Sequence, residues 1–410
     1  MTTRQLKLVF VGWEGKNLWA DATARGWTSL LHGAPVGIKV VGRGPTIDPS
    51  ISSQGAWASA SISGDPHGSS PNMASISEVW DKTAASVLLV RPGTPPPNGA
   101  FLGSLLSGLL DLSLPDGRAP GSVRQWAQMA VTAMKSRGLA LGSTVTAREV
   151  PSWPAWLQHL VVGGSQPDTV WSSTNRDDRG SSAGQTGAGW LDPSWACRPA
   201  DPGAVGAFAS MHGFDVDGYT ALAPGRLDAH NPAFPVALAR VADYLTAERG
   251  LPCILLGSDA AEVCSCASVA RSSRIRHDVF GPMDLDAPMS MALVRHAQLL
   301  VGPASWARSW ALRLAVPTVP MTQTDPGWIW PDSLEPLAEA PKPNEAPWWT
   351  ALDRLFDDWR IRTDLLAAME TSCLLGLDEL ARLVSWVRSR LDVPNDAPFR
   401  ALLPAFVADP

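Results

Sequence analysis

The sequence predicts an α/β fold in which two Rossmann-like, doubly wound domains face a cleft and are followed by C-terminal helices. Short apolar runs alternate with helix-length segments in both halves of the chain, which favours parallel sheets with helices on both faces. A polar, glycine-rich passage separates the two halves. The chain has 410 residues, 45% of them hydrophobic, which is enough for two domains with separate cores.

The first half contains six apolar runs with the length of buried strands. They are Leu6 to Val11, Gly37 to Val41, Trp57 to Ile62, Ser86 to Arg91, Leu139 to Val145 and Thr169 to Ser173. Between them, apolar side chains from Val123 to Lys135 recur at helical spacing and mark one face of a helix. These segments predict an N-terminal domain at residues 1–205.

The second half repeats the alternation after the loop-like passage at residues 172–190 and a proline-spaced segment. Its predicted strands are Tyr219 to Ala223, Cys253 to Leu256, Asp278 to Phe280, Gln298 to Val301 and Thr318 to Met321. They predict a second doubly wound domain at residues 206–345. Three helical stretches follow, at residues 346–356, 363–372 and 377–391. We expect residues 346–410 to pack back on the domains.

Composition narrows the class of protein. The longest apolar stretch, Phe101 to Leu114, is shorter than the roughly 20 residues that a bilayer-spanning helix needs. The first residues of the chain lead directly into a predicted strand and do not have the pattern of a signal peptide. We therefore expect a cytoplasmic protein without stable membrane insertion. A net charge of −6 argues against a broad nucleic-acid-binding surface.

The five cysteines lack the paired spacing of a zinc site and are predicted to be reduced, structural thiols. Two Asp-x-Asp triplets, Asp215 to Asp217 and Asp284 to Asp286, lie before a strand and in a loop. Neither position suits a metal that bridges to a diphosphate. We interpret these acids as loop carboxylates and predict no metal site.

A resemblance to a known family appears in the second half. The segments Tyr219 to Val263 and Val279 to Met321 resemble the donor-binding half of the heptosyltransferase-like glycosyltransferases, which have the GT-B fold. This resemblance implies a nucleotide-sugar co-substrate, no other cofactor and no metal. It also implies a set of donor-binding residues: Gly225, Arg226, His230, Glu262, Met283, Leu285, Ser305, Trp306 and Arg308.

The resemblance assigns parts of the donor to particular positions. Arg226 follows the first strand of the second domain, where the family places the phosphates, and Glu262 matches an acid associated with the nucleotide ribose. The loop that contains Met283 and Leu285 matches the one that lines the base. A glycine of the family's signature falls on Trp306, so we expect its ring either to pack under the loop or to project into the cleft.

The family's phosphate signature is otherwise substituted, because its aspartate and histidine fall on Ala304 and Ser309, and Ser305 alone survives. Backbone N–H groups and the helix dipole can still hold an anion there. A dipole contact contributes only about 0.3 to 1 kcal/mol. Arg226 and Arg308 are therefore predicted to supply most of the remaining attraction.

The first domain is expected to hold the acceptor and the general base. Glu14, in the loop after the first strand, is the first candidate, and Asp65 and His67 are the next, because each can take a proton from an acceptor hydroxyl. An exposed loop carboxylate, a turn residue and a solvated histidine are the alternative interpretations. The predicted acceptor-binding residues are Gly12, Trp13, Lys16 and Arg91.

The resemblance implies a glycosyltransferase, inverting and metal-independent, that moves a sugar from a nucleotide-sugar to an acceptor hydroxyl. The acceptor is left open between a saccharide, a lipid-linked glycan and a hydroxymethylated base in DNA, the last as in bacteriophage DNA glycosyltransferases. In that case the loop with Arg176 and Arg179 is predicted to grip a flipped base. A sugar-nucleotide epimerase and a non-catalytic homologue that only binds a sugar nucleotide are the remaining alternatives.

Overall fold

The computed structural model describes residues 5–11, 15–31, 36–41, 45–46, 59–62, 83–90, 141–144, 193–227, 233–303, 306–320 and 347–391. The chain divides into two compact units. The first combines Met1–Thr186 with Glu379–Phe399, and the second combines Gly187–Asp378 with Arg400–Pro410. The second unit thus begins before residue 206, and the first unit includes part of the C-terminal region.

The first unit is built on a parallel sheet. Its strands are β1 (Gln5–Val11), β2 (Gly15–Lys16), β3 (Val36–Val41), β4 (Pro45–Thr46), β5 (Ser59–Ile62), β6 (Thr83–Val90) and β7 (Leu141–Thr144). Five of them form a sheet in the order β5-β3-β1-β6-β7, and every pairing in it is parallel. The two short strands β2 and β4 pair separately with each other.

Helix α1 (Leu18–Leu30) follows β2 and starts at a clear signal. The side chain of Asn17 accepts a hydrogen bond of 3.0 Å from the backbone N–H of Ala20, which satisfies one of the helix's unpaired donors. At the other end, the guanidinium of Arg388 donates to the carbonyl of Leu30, with distances of 3.1 and 2.6 Å. Because Arg388 lies near the C-terminus, this contact explains why Glu379–Phe399 belongs to the first unit.

The second unit contains five strands and most of the described helices. The strands are β8 (Thr220–Leu222), β9 (Cys253–Leu256), β10 (Asp278–Phe280), β11 (Leu300–Gly302) and β12 (Thr318–Pro320). The helices are α2 (Pro202–His212), α3 (Ala233–Arg249), α4 (Ala260–Ser272), α5 (Ala287–Arg295), α6 (Trp306–Arg313) and α7 (Pro347–Asp357). A short 3₁₀ helix, Pro193–Ala196, precedes them.

The second sheet has the order β10-β9-β8-β11-β12, again with parallel pairings throughout. Its chain order changes direction between β8 and β11, which are neighbours in the sheet. In open α/β sheets, ligands bind outside the carboxyl ends of the strands at such a switch point. The loops that follow β8 and β11 are therefore the place to look for a site.

The predicted fold class is confirmed, because each unit has the parallel sheet that the alternating pattern predicted. Within the described ranges, all five strands predicted in the second half are present, as are those near residues 6, 37, 57, 86 and 139 in the first. The predicted strand Thr169 to Ser173 and the helix Val123 to Lys135 lie outside those ranges. Among the helices that the structure describes, none has both the length and the apolar character needed to cross a bilayer.

The C-terminal helices correct one prediction. The predicted helices at residues 363–372 and 377–391 are a single helix, α8 (Trp359–Leu391). Its buried residues continue through the expected break at three- and four-residue spacing: Leu365, Met369, Cys373, Leu377, Leu380, Val384 and Arg388. This continuous buried stripe maintains the helix across the segment between residues 372 and 377.

Helix α7 is attached to α3 by charged side chains. Arg249, in the last turn of α3, donates to Asp353 at 2.5 Å and to Asp357 at 2.7 Å. The hydroxyl of Tyr244 also donates to Asp353. These contacts stabilise the packing of α7 against α3 within the second unit. The five cysteines are free thiols, and all except Cys264 are buried.

Candidate functional site

The backbone approaches itself closely at the switch point. The N–H of Ala223 donates to the carbonyl of Val301 at 3.0 Å, which holds the ends of β8 and β11 together. A Cβ atom on Gly302 would lie 2.2 Å from the carbonyl oxygen of Ala223, so no other residue fits there without displacing the backbone. Gly225, in the loop after β8, has φ of +65°, a conformation that favours glycine.

Arg226 follows this glycine and is half exposed, with 50% of its side chain accessible. Its Nη2 atom lies 3.2 Å from the buried carboxylate of Asp259. Asp259 ends the loop after β9 and is the N-cap of α4. The ion pair therefore joins the loops after two neighbouring strands and holds a partly accessible guanidinium at the carboxyl edge of the sheet.

The first turn of α4 is capped from two directions. The carboxylate of Asp259 accepts from the N–H of Glu262 at 3.0 Å. Glu262 reaches back and accepts from the N–H of Ser258 at 2.7 Å. This is close to a capping box, in which N-cap and N3 side chains satisfy the first donors of a helix. One turn further on, the hydroxyl of Ser265 accepts from the N–H of Leu227 at 3.1 Å, which is a second link to the loop after β8.

Trp306 is the first residue of α6, and its indole connects α6 to this capped turn. The Nε1 atom donates to Oε2 of Glu262 at 2.7 Å. The ring also packs edge-on against Trp310, with 4.6 Å between the ring centroids. Only 9% of Trp306 is exposed. Of the two expected positions of this ring, the structure has the packed one.

The carboxylate of Glu262 is in an electrostatically unfavourable place. Although part of the residue's surface is accessible, burial raises the pKa of Glu262 above its usual range, and the nearby charge of Asp259 raises it further. The hydrogen bonds from Ser258 and Trp306 act in the opposite direction, because they favour the charged form. A perturbed carboxylate at a switch point is a typical feature of a functional site.

Helix α6 is held in place by the 3₁₀ helix before α2. Trp195 donates from its indole to the hydroxyl of Ser309 at 2.8 Å, and Trp310 donates to the hydroxyl of Ser194 at the same distance. Arg313 adds a hydrogen bond of 3.1 Å to the carbonyl of Trp195. Ser309 occupies the position of the family's histidine, and its hydroxyl is bonded in the interior.

The loop after β10 presents one of its two predicted side chains. Met283 is 84% exposed, whereas Leu285 is buried. The loop is closed by Asp284, whose carboxylate accepts from the N–H of Gly281 at 3.1 Å. Asp286 caps α5 by accepting from the N–H of Met289 at 2.9 Å. The carboxylates of the second Asp-x-Asp triplet thus stabilise the backbone locally.

The two predicted phosphate-binding arginines differ in exposure. Arg308 is 0% exposed and has interaction partners in its buried environment. A phosphate contact by Arg308 would require this guanidinium to be uncovered. Arg226 is the one of the two that reaches the accessible surface. Both assignments stay predictions, and only that of Arg226 fits the structure without rearrangement.

Several predicted site residues lie outside the described ranges: Gly12, Trp13, Glu14, Asp65, His67, Arg91, His230 and Ser305. Their roles stay predictions. Lys16 is described, and its side chain is exposed on the short strand β2. In the part of the chain that the structure describes, no group of three or more His, Cys, Asp or Glu side chains is arranged to hold a metal.

The predicted site residues did not include four members of this arrangement: Asp259, Ser265, Ser194 and Trp195. For Asp259 a signal was present, because an aspartate three residues before a glutamate at the start of a helical segment is typical of a capping box. The contact between Trp195 and Ser309 joins positions that are 114 residues apart, and no local pattern indicates it.

No protein-family model matches the chain, and neither does any curated protein. Solved structures do match it. A protein of Listeria monocytogenes assigned as a UDP-N-acetylglucosamine 2-epimerase is 14% identical over 96% of this chain and 99% of its own, with a TM-score of 0.52. A glycosyltransferase from Rickettsia africae is 13% identical over 96% of this chain and 100% of its own, with a TM-score of 0.48. The E. coli ADP-heptose LPS heptosyltransferase II is 10% identical over 89% of this chain and 99% of its own, with a TM-score of 0.42.

These comparisons establish similarity of fold, since all three identities are low. The Listeria protein carries this conclusion, because its TM-score of 0.52 is the one of the three above 0.5 and its similarity extends along almost the whole of both chains. The predicted resemblance to proteins of the GT-B fold is therefore confirmed for the fold. Activity has to be argued from the site, because one fold can host many functions.

Proposed function

We propose that this protein is a glycosyltransferase that moves a sugar from a nucleotide-sugar donor to an acceptor hydroxyl. One observation carries the proposal: an accessible arginine and a carboxylate with a raised pKa, Arg226 and Glu262, lie at the switch point of the second sheet. A guanidinium suits a diphosphate, and a carboxylate suits the hydroxyls of a ribose. The fold is shared with the Listeria protein that is assigned as a UDP-N-acetylglucosamine 2-epimerase, and this similarity supports a nucleotide-sugar as the ligand.

The geometry suggests how Arg226 would act. Its ion pair with Asp259 holds the guanidinium at the carboxyl edge before a donor binds. When the glycosidic bond of the donor breaks, negative charge develops on the departing diphosphate, and a prearranged cation stabilises that charge most. The acceptor hydroxyl must lose a proton in the same reaction. Glu14, Asp65 and His67 remain our candidates for the general base. We further propose an inverting transfer without a metal.

A binding experiment tests the donor site. Wild-type protein is screened by thermal shift and calorimetry against UDP-, ADP-, GDP-, CMP- and dTDP-sugars. Arg226→Ala should weaken binding of the stabilising donor by about tenfold or more, because a hydrogen bond to a charged group contributes about 1.5 to 3 kcal/mol. The matched control is Arg276→Ala, an exposed arginine just before β10, at the opposite edge of the same sheet.

Two results would contradict the donor assignment. One is a wild-type protein that none of the nucleotide-sugars stabilises. The other is equal donor affinity for the Arg226→Ala and Arg276→Ala variants. Either outcome removes the central support for a nucleotide-sugar enzyme.

An activity experiment identifies the reaction. Mass spectrometry follows the donor with and without saccharides, lipid-linked glycans and DNA that contains hydroxymethylated bases. Release of nucleotide together with a heavier acceptor supports transfer. If transfer needs no metal, excess EDTA leaves its rate unchanged.

A sugar-nucleotide epimerase is the second candidate, and the fold similarity to the Listeria protein favours it. An epimerase changes the donor's sugar without any acceptor. NMR spectra of the donor after incubation with protein alone therefore separate the two candidates. A new stereoisomer of the donor, with no dependence on acceptor, would replace the transferase proposal with this one.

A further inference from the structure

The hydrogen bond between Trp306 and Glu262 joins the start of α6 to the first turn of α4. These two helices follow β11 and β9, which lie on either side of β8 in the sheet. A glycine at this position could not make this bond, so the contact depends on the side chain of Trp306.

The two hydrogen bonds fix the carboxylate of Glu262. Its Oε2 atom accepts from the N–H of Ser258 and from the indole of Trp306, both at 2.7 Å. Two donors on the same oxygen restrict rotation of the carboxylate about its terminal bond. An ionised carboxylate has about four lone-pair sites, so capacity remains for ligand hydroxyls.

The indole itself is rigidly supported. Its ring packs edge-on against Trp310. Three hydrogen bonds hold α6 to the 3₁₀ helix, and they involve Ser309, Trp310 and Arg313. A donor on such a fixed element orients its acceptor more precisely than a donor on a mobile side chain does.

We infer that Trp306 is a positioning residue for the nucleotide-sugar: its indole N–H holds the carboxylate of Glu262 in the orientation that accepts the ribose hydroxyls. This inference rests on the proposed function and assigns Trp306 an indirect role, through Glu262.

Charge gives this role a measurable consequence. Burial and Asp259 raise the pKa of Glu262, and the indole N–H opposes that rise. Among the residues that the structure describes, the other titratable groups that interact with this pair are Arg226, which pairs with Asp259, and the thiol of Cys266, one turn further along α4. Removal of the indole N–H should raise the pKa of Glu262 further. Because the ionised form accepts hydroxyls, the loss of nucleotide affinity on acidification should then begin at a higher pH.

The experiment compares Trp306→Phe with Trp359→Phe. Both variants keep an aromatic ring and lose one indole N–H, but Trp359, the first residue of α8, is 70% exposed. Calorimetry measures binding of UDP and ADP and of their 2′-deoxy forms, from about pH 5 to pH 8, around the ordinary carboxyl range. The deoxy nucleotides lack a ribose hydroxyl and therefore report whether the carboxylate is engaged.

We expect Trp306→Phe to weaken the preferred ribonucleotide by about tenfold, the effect of 1.4 kcal/mol, and its 2′-deoxy form much less. The pH below which its affinity for the nucleotide falls should be higher than in the wild type. Trp359→Phe should bind all four nucleotides as the wild type does. If Trp306→Phe folds poorly, Trp306→His serves as the second variant, because it restores a ring N–H and should recover part of the preference for ribose.

Three outcomes overturn the inference while the proposed function stands: wild-type affinity in Trp306→Phe, an equal loss for the ribo and deoxy forms, or the same loss in Trp359→Phe. A wild-type protein that binds no nucleotide or nucleotide-sugar is a different result. It rejects the proposed function, and the inference with it.

Discussion

In each sheet, the loops that follow the two earliest strands of the chain are joined to each other, but by different means. These strands are β1 and β3 in the first sheet and β8 and β9 in the second. In the first unit the link is made by backbone, because β2 and β4 lie in those loops and pair in parallel, Gly15 with Pro45 and Lys16 with Thr46. In the second unit the corresponding link is made by side chains, with Arg226 on Asp259 and Leu227 on Ser265. Yet the two sheets have the same strand order.

The difference shows where the choice of side chain at a given position matters. Backbone pairing needs extended residues and free N–H and C=O groups, and many sequences provide them. An ion pair or a hydroxyl bond needs particular side chains at particular positions. We therefore expect substitutions at the side-chain links of the second unit to have large and specific effects, and substitutions at the backbone link of the first unit to have small ones.

The largest expected effect is at Trp306. Trp306→Gly removes a side chain that is 9% exposed, its packing on Trp310 and its bond to Glu262. The free energy of unfolding should fall by about 3 to 5 kcal/mol, as for other buried large-to-small changes. Chemical denaturation measures it, with Trp359→Ala as the control, since Trp359 is 70% exposed. Equal effects of the two substitutions would mean that Trp306 is not held as described.

Next is the backbone contact between β8 and β11. Gly302→Ala places a methyl group 2.2 Å from the carbonyl oxygen of Ala223, and overpacking of this kind costs about 1 to 3 kcal/mol. Gly206→Ala is the matched control, because its new methyl group, in α2, would contact nothing within 4 Å. That control should stabilise the protein by about 0.5 to 1 kcal/mol. Two shifts of the same sign in thermal melts would contradict this account of the switch point.

The side-chain link itself is tested at Asp259. Asp259→Ala removes the cap of α4 and the partner of Arg226, so the free energy of unfolding should fall by about 1 to 2 kcal/mol. Asp259→Asn keeps the capping oxygen, and a partly exposed ion pair contributes only about 0 to 1 kcal/mol. The asparagine variant should therefore lose less than the alanine variant in urea titrations. Equal losses would indicate that the ion pair, and not the cap, makes the link.

The contrast between links made by the backbone and links made by particular side chains also explains which features of the fold could be predicted from the sequence. The strands were predictable because a buried parallel strand appears in the sequence as a short apolar run, such as Cys253–Leu256, whatever its partners are. The continuity of α8 was missed because Gly376 lies between the two predicted helices, and glycine disfavours a helix interior. The buried spacing of Met369, Cys373 and Leu377 overrides that local signal.

The site was only partly predictable. The resemblance pointed to Arg226 and Glu262, since each follows a recognisable strand, and their assignment as donor-binding residues stays a prediction. Their connections were not found, because the bond from Trp306 to Glu262 spans 44 residues and depends on how two helices pack. Local periodicity carries no information on such a contact. The same limit explains why the sequence left the position of the Trp306 ring open.

The smallest expected effect on stability is at Lys16, on the backbone link of the first unit. Its side chain is exposed, and the pairing of Lys16 with Thr46 is made by the main chain. Lys16→Ala should therefore change the free energy of unfolding by less than about 0.5 kcal/mol. Since Lys16 is also a predicted acceptor-binding residue, the variant separates function from folding: KM for the acceptor should rise while the Kd of the nucleotide-sugar donor stays unchanged. Steady-state kinetics and calorimetry on the same preparation measure both constants. A clear loss of stability would show that the side chain contributes to the link, and the contrast between the two units would then disappear.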